Sequence, residues 1–200
     1  DGAGPHRLED SFGPVQVSDS AGEVSVENSN GSVDVSNIRG PASVRDRFGN
    51  VTVTNVSGGV KVINGNGSVR VTGAGGLSSI TNSFGTVEAS GIRGDLFINN
   101  SNGKIDAREI TGAAELNTTF GSIGFAGVGK GVTIRAGNSA ITGSKTGGPI
   151  TLQTSFGRVS LSEIRGGVRV VANNGVVILA GVGGEARVKT SFGLFDATDI

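Results

Sequence analysis

Residues 11–37 read SFGPVQVSDSAGEVSVENSNGSVDVSN, which is a nine-residue pattern written three times without a gap. The third position of each copy is Gly, and the fifth and seventh positions are Val. The nonamer continues without insertion to Asp199, which makes 21 consecutive units. Its third position is Gly in all but two units, where Lys130 and Ser139 stand instead. An internal repeat of this length indicates an architecture built from stacked units.

Apolar side chains recur at every second residue within each unit. Positions five and seven are apolar nearly throughout, with Ser78 and Gly143 as the exceptions. A period of two predicts a strand, whereas Gly every nine residues without a 3.6-residue period excludes helix. Strands with one apolar face must bury that face against other strands. We therefore predict an all-β protein, a single-stranded parallel β-solenoid (β-helix) of nine-residue strand-turn units, forming one domain over residues 1–200.

Two other architectures fit parts of this pattern. The Asn-Gly pairs in VINGNGSVRV, residues 62–71, suit the hairpins of an antiparallel meander. A meander, however, has no reason to keep the longer cycle described next. Calcium-binding solenoids of nonamers place an Asp at a fixed position. Position six here reads Gln16, Ser25, Asp34 and Ser43 in the first four units, so it offers no carboxylate column and the sequence does not predict calcium.

A slower cycle of 36 residues runs through the second position of the nonamer. The Phe residues at this position are Phe12, Phe48, Phe84, Phe120, Phe156 and Phe192, and midway between them stand Asn30, Asn66, Asn102, Asn138 and Asn174. A coil of 36 residues would stack Phe on Phe inside the coil and Asn on Asn in a hydrogen-bonded ladder. We therefore favour a 36-residue coil over an 18-residue coil. On that coil Phe84 is interior, and its truncation to Ala should cost about 3 to 5 kcal/mol.

The first ten residues form a degenerate unit. They still fit the nonamer frame, with the single histidine, His6, at position five. Ile200 matches the first residue of a further unit, so we expect the chain to be an excerpt of a longer repeat array. Terminal coils of a solenoid expose unpaired backbone, which predicts association of the protein with itself through these coils.

The composition argues against several classes of partner. Seventeen basic and seventeen acidic residues cancel and form no runs, so we expect no nucleic-acid binding. No stretch reaches the roughly 18 apolar residues of a membrane helix, which predicts no membrane span in this segment. The absence of Cys excludes disulfides and thiolate metal sites.

The residues that carry chemistry are sparse. A Ser-His-acid hydrolase would need His6, and no nucleophile motif accompanies it. Carboxylates are dispersed, and pairs such as Asp106 with Glu109 are expected by chance in a chain with this many acids. We therefore assign no catalytic, cofactor-binding or metal-binding residues and expect the protein not to be an enzyme.

Three I-R-G turns carry Arg39, Arg93 and Arg165, the candidate surface-binding residues. On a 36-residue coil Arg93 and Arg165 share a column, whereas on an 18-residue coil all three line one edge. A basic edge could contact an anionic partner such as an envelope polysaccharide. The alternative is solubility and local pairing, for example with Asp95 or Glu163.

The segments VENSNGSVDVSNIRG (residues 26–40) and SFGRVSLSEIRGGVRV (residues 155–170) resemble a bacterial adhesin-repeat family of Gly- and Val-rich β-strand repeats, usually described as domains of unknown function. The resemblance extends from residue 11 to nearly the end of the chain. It implies an extracellular or cell-envelope β-helix that is structural or adhesive and contacts itself or a cell-surface component. A polysaccharide-binding or polysaccharide-degrading β-helix protein is the alternative. The family supplies no catalytic positions.

Overall fold

The computed structural model describes residues 4–200, and every strand in this range pairs in parallel. The chain forms one continuous sheet of 19 strands wound into a β-solenoid. The first three residues of the degenerate unit at 1–10 lie outside the described residues. The strands are β1 His6–Asp10, β2 Val15–Ser18, β3 Val24–Asn28, β4 Val33–Ile38, β5 Ala42–Phe48, β6 Val51–Val56, β7 Val60–Asn66, β8 Val69–Ala74, β9 Ser78–Phe84, β10 Val87–Ile92, β11 Leu96–Ile110, β12 Ala114–Val128, β13 Val132–Thr146, β14 Ile150–Phe156, β15 Val159–Ile164, β16 Val168–Asn174, β17 Val177–Val182, β18 Ala186–Phe192 and β19 Phe195–Thr198.

The coil contains 18 residues, so the prediction of a 36-residue coil is wrong. In β3 and β5 Val24 pairs with Ala42, and in β5 and β7 Ala42 pairs with Val60. The same offset holds between Val168 and Ala186 near the end of the chain. Each coil therefore consists of two nonamers. Adjacent coils lie about 4.8 Å apart, the usual spacing of hydrogen-bonded strands.

Each coil is a flattened loop with six inward-facing positions. Val53 and Val56 both face inward although they are three residues apart, because Asn55 between them has a left-handed backbone with a φ of 55°. This local kink brings the first residue of the next nonamer into the core. The inward set of one coil, each member 2% exposed or less, is Ala42, Val44, Asp46, Val51, Val53 and Val56.

The Phe residues of the 36-residue cycle are on the surface, so the predicted interior aromatic column is wrong. Phe84 is 53% exposed and pairs with Asn66 of the coil before it and Asn102 of the coil after it. Before each Phe from Phe48 to Phe156 the polar residue two positions earlier already fills that corner of the core; Asn82 before Phe84, for example, is 1% exposed. The chain then bends outward. Truncation of Phe84 to Ala is therefore not expected to lower the free energy of unfolding by a large amount.

A buried amide ladder exists, but in another column than the one predicted. Position nine of every second nonamer faces inward, and its early members are Asn28, Asp46, Asn64, Asn82 and Asn100. Asn82 Nδ2 donates to Asn100 Oδ1 at 3.3 Å. Asn100 Nδ2 donates to the carbonyl oxygen of Gly85 at 3.0 Å. These amides satisfy backbone carbonyls at the corner, where the chain turns away from the sheet.

Asp46 is the one carboxylate among the early members of this ladder. It is 2% exposed, and neither of its oxygens has a partner in good hydrogen-bonding geometry. Burial raises the pKa of the Asp46 carboxyl, although the backbone N–H groups of Arg47 and Phe48 and the amide of Asn28 oppose that rise. The folded protein therefore holds the Asp46 proton more tightly than the unfolded chain does.

Replacing Asp46 with Asn should stabilise the protein at neutral pH. A raised pKa means that the contribution of Asp46 to the free energy of unfolding falls as the pH rises from the ordinary Asp range through the raised value. The amide avoids this loss, so Asp46→Asn should gain about 1 to 3 kcal/mol at pH 7 and much less at pH 4. Denaturant unfolding at the two pH values measures this. Asn64→Asp, one coil further, is the matched control and should show the opposite sign; a wild-type protein as stable as Asp46→Asn at pH 7 would contradict the prediction.

One aromatic ring does lie inside the solenoid. Phe125 is 4% exposed, and the residues paired with it in the neighbouring coils are Ala107 and Gly143. A Cβ on Gly143 would overlap the ring atoms of Phe125. Gly143, an exception to the apolar pattern, is therefore small because it makes room for a large neighbour in the next coil.

Candidate functional site

The flattened coil has two narrow ends, and each carries its own column of side chains. One column, called the Phe/Asn edge here, alternates the two residue types of the 36-residue cycle, one residue per coil. Its members are Phe12, Asn30, Phe48, Asn66, Phe84, Asn102, Phe120, Asn138, Phe156, Asn174 and Phe192. The backbone register places each Phe directly beside an Asn in the adjoining coil. Because a coil rises about 4.8 Å, successive Phe residues lie about 9.6 Å apart along the edge.

The rings of the Phe/Asn edge are half exposed along its middle and more exposed at its ends, where Phe12 and Phe192 are 80% and 75% exposed. Phe48, Phe84, Phe120 and Phe156 are 54%, 53%, 50% and 52% exposed. Large apolar groups arranged in one straight row differ from the scattered apolar residues of ordinary protein surfaces. The regular exposure makes this edge the strongest candidate for a binding surface.

The surroundings of the Phe/Asn edge carry little charge. The residues just before the column are mostly Ser, Thr and Gly, with Arg47 as the charged one. On the other side two charged residues, Lys104 and Arg158, follow the column by two positions, and Lys104 pairs with Asp106 at 3.1 Å. Within residues 4–200 the side-chain hydrogen bonds leave the Asn amides of this edge unused, so a hydrogen-bonded ladder does not form here.

The second column, called the Arg edge here, contains the candidate surface-binding residues Arg39, Arg93 and Arg165. The 18-residue coil places all three in one column, which was the expectation for the smaller coil. They are exposed, and the ion pairs formed within the described range do not include them. They are separated by three and four coils, about 14 and 19 Å. One small anion cannot bridge such distances, so the three residues do not form a cluster.

The expected partners of these arginines have other roles. Asp95 Oδ1 accepts a hydrogen bond from the backbone N–H of Ala113 at 2.8 Å. Glu163 occupies the left-handed position of its coil, with a φ of 54°. Beside the Arg edge an open groove of about 1000 Å³ runs along the later coils and contains Lys145, Glu163 and Arg165 together with several glycines. Acidic and basic residues alternate along this groove, so it presents no field of one sign.

Among the described residues, the ionisable side chains show no arrangement typical of catalysis. Burial tends to raise the pKa of Asp106, but hydrogen bonds from Arg108 and Lys104 outweigh it and leave that pKa below its ordinary value. Asp106 is therefore held ionised as part of a surface ion pair. In residues 4–200 no three His, Asp or Glu side chains lie close enough together to hold a metal ion. His6 lies in β1, half-buried and in register with Val24.

The chain matches no family model, no curated protein and no solved structure. The resemblance to the adhesin-repeat family stays a prediction. Across the described range, no helix has the length and hydrophobicity of a membrane-spanning segment. The features that bear on function are therefore those on the surface of the solenoid.

Proposed function

We propose that the protein is a non-enzymatic structural or adhesive β-solenoid of the bacterial cell envelope that makes its contacts through the Phe/Asn edge. The observation that supports this proposal is the row of six exposed Phe rings in a single column with few charges beside it. The proposed location rests on the resemblance to the adhesin-repeat family. The 19-stranded parallel sheet supplies a continuous rod that holds the rings at fixed intervals.

Contact through the Phe/Asn edge would release a large hydrophobic free energy. A buried Phe contributes 150 to 250 Å² of surface, so the exposed half of each ring is about 100 Å². Removing that area from water is worth about 2.5 kcal/mol per ring before the costs of association. A contact repeated over several rings gives avidity without any individually strong site.

A polysaccharide-binding role is the second candidate. The unpaired Asn amides between the rings are hydrogen-bond donors and acceptors, and the Ser and Thr residues beside them add hydroxyl groups. Aromatic faces combined with uncharged polar groups suit a neutral glycan. Degradation of a glycan has no such support, because it requires two facing carboxylates, and neither the column nor the residues directly before and after it include Asp or Glu.

Adhesion through the Phe/Asn edge can be measured with protein-coated beads. Wild-type protein on beads should adhere to surfaces coated with isolated bacterial cell walls or with the protein itself, and not to a surface blocked with albumin. The variant Phe48→Asn/Phe84→Asn/Phe120→Asn/Phe156→Asn should adhere at least about tenfold less, because it removes most of the apolar contact area. Asn already occupies the same column in the alternate coils, so this variant should fold.

The matched control changes the Arg edge. Arg39→Ser/Arg93→Ser/Arg165→Ser should adhere like the wild type if the Phe/Asn edge is the contact surface. Loss of adhesion in this variant alone would indicate that the Arg edge, and not the Phe/Asn edge, is the contact surface. Equal adhesion of the wild type and the Phe variant to all surfaces would contradict the proposal.

A further inference from the structure

We propose that the partner of the Phe/Asn edge is the same edge of a second copy of this chain, lying antiparallel and displaced by one coil. The inference rests on the proposed function, because it names the partner of that surface. The evidence for this pairing is the alternation of large and small residues in a single column. Each Phe ring stands between two Asn residues, so the column presents rings and gaps in strict alternation.

The dimensions of these gaps fit an aromatic ring. Neighbouring Phe residues are two coils apart, about 9.6 Å, and a ring placed midway would lie about 4.8 Å along the rod from each. Favoured separations between aromatic ring centres run from about 4.5 to 7 Å. The second copy supplies rings with the same period. A displacement of one coil places each ring opposite an Asn, between two rings of the partner.

Symmetry selects the antiparallel arrangement. A closed dimer has a two-fold axis that relates the same surface on both copies. An axis along the rod would allow no displacement and would place Phe against Phe. An axis perpendicular to the rod reverses the partner and permits a displacement of one coil, so Phe meets Asn at ten of the eleven positions of the edge.

The area and the charge of the edge agree with pairing of two copies. Five ring halves from each copy supply about 500 Å². The Asn amides and the Ser and Thr residues beside the rings raise this toward the roughly 800 Å² per partner of a standard interface. Lys104 is paired with Asp106, which leaves Arg47 and Arg158 as the unpaired charges next to the column. Two copies can therefore approach without strong repulsion between like charges.

Sedimentation velocity over a range of protein concentrations tests the pairing in solution. The wild type should sediment as a dimer of the 19.9 kDa chain at micromolar concentration. The four-Phe variant described above should raise the dissociation constant at least about 100-fold, because it removes most of the apolar centre of the interface. Far-UV circular dichroism should show the same strand content in both proteins. A monomeric wild type, or a dimer that persists in the four-Phe variant, would overturn the inference.

Cross-linking locates the interface and its direction. The chain has no Cys, so Asn102→Cys introduces one thiol at the middle of the edge, next to the expected two-fold axis. Two copies of this variant should cross-link with a short bismaleimide at least about ten times more than copies of Thr111→Cys, which places the thiol on the Arg edge. Stronger cross-linking through Thr111→Cys would overturn pairing through this edge, and cross-linking of Asn30→Cys, far from the expected two-fold axis, as strong as that of Asn102→Cys would overturn the antiparallel direction.

The two proposals can fail separately. Phe-dependent adhesion to cell walls or to an insoluble neutral glycan by a protein that stays monomeric would overturn the pairing and leave the adhesive function standing. A Phe-dependent dimer in solution without adhesion of the beads to cell walls or to a glycan would support the pairing and overturn the adhesive function.

Discussion

Truncation of Phe125 to Ala should lower the free energy of unfolding by about 3 to 5 kcal/mol, the usual cost of removing a buried aromatic ring. The ring is 4% exposed, and its partners in the neighbouring coils, Ala107 and Gly143, are too small to fill the space it would leave. The residual cavity therefore adds to the lost transfer free energy. Denaturant unfolding followed by far-UV circular dichroism measures the effect, since the chain has no Trp or Tyr for fluorescence.

Phe84→Ala is the control for this truncation. It removes the same atoms from a ring that is 53% exposed in the single chain, so at protein concentrations too low for pairing its cost should be about 1 kcal/mol or less. The two variants together separate the interior ring from the rings of the Phe/Asn edge. Equal losses of stability would mean that the exposed ring is covered by a partner in solution or that the interior ring can be replaced by local collapse.

The second large effect is expected for Gly121→Ala. Gly121 turns the chain just after Phe120 with a φ of +135°, a backbone conformation that residues with a Cβ rarely adopt. A Cβ at this position would also overlap the carbonyl oxygen of Gly103 in the coil before it. Backbone strain and overpacking each cost about 1 to 3 kcal/mol, so the variant should lose about 2 to 6 kcal/mol. The midpoint of denaturant unfolding measures it.

Gly124→Ala is the matched control in the same strand, β12. Its Cβ would lie 3.9 Å from the nearest atoms, Asp106 Oδ1 and the carbonyl oxygen of Ile105, and its φ is outside the left-handed region. Ala lowers the conformational entropy of the unfolded chain relative to Gly. This variant should therefore be as stable as the wild type or up to about 1 kcal/mol more stable. A Gly121→Ala protein as stable as Gly124→Ala would show that the turn can relax.

Ser139 shows what this turn column demands. It is one of the two residues that replace Gly at position three, and it lies opposite Gly121 in the next coil. Ser139 is absent from the residues with positive φ, unlike Gly121 and Gly103 in the two preceding coils. The column therefore accepts a side chain where the backbone φ is not positive.

Several features of the fold were predictable because they depend on local pattern. Alternation of apolar residues predicted the strands, and the absence of insertions predicted parallel stacking; β5 and β7 confirm both. The exceptions at Ser78 and Gly143 were visible but had no explanation without a neighbour in the next coil. Asp46 was not singled out, although Asn in the equivalent place of several other coils was a signal that the position is buried and polar.

The Phe/Asn edge was predictable as a column but not as a surface. Strict alternation along β5 would place Phe48 on the same face as Ala42, Val44 and Asp46. The chain bends after Asp46, whose buried side chain closes the corner of the core; in a later coil the amide of Asn100 at the equivalent place donates to the carbonyl oxygen of Gly85. The structural or adhesive role, the envelope location and association through the terminal coils stay predictions.

A parallel β-solenoid of nonamers with Gly at the turns follows from the residues alone, because alternation and turn chemistry are properties of neighbouring residues. The coil size of 18 residues depends instead on contacts between residues that are distant in the chain. A 36-residue period arises equally from a wide coil or from alternation between successive narrow coils. In the core column Val24, Ala42, Val60 and Ser78, large and small residues alternate between coils, as Phe and Asn do on the edge. Packing favours alternation between successive 18-residue coils, because two facing strands fill such a narrow coil without a void.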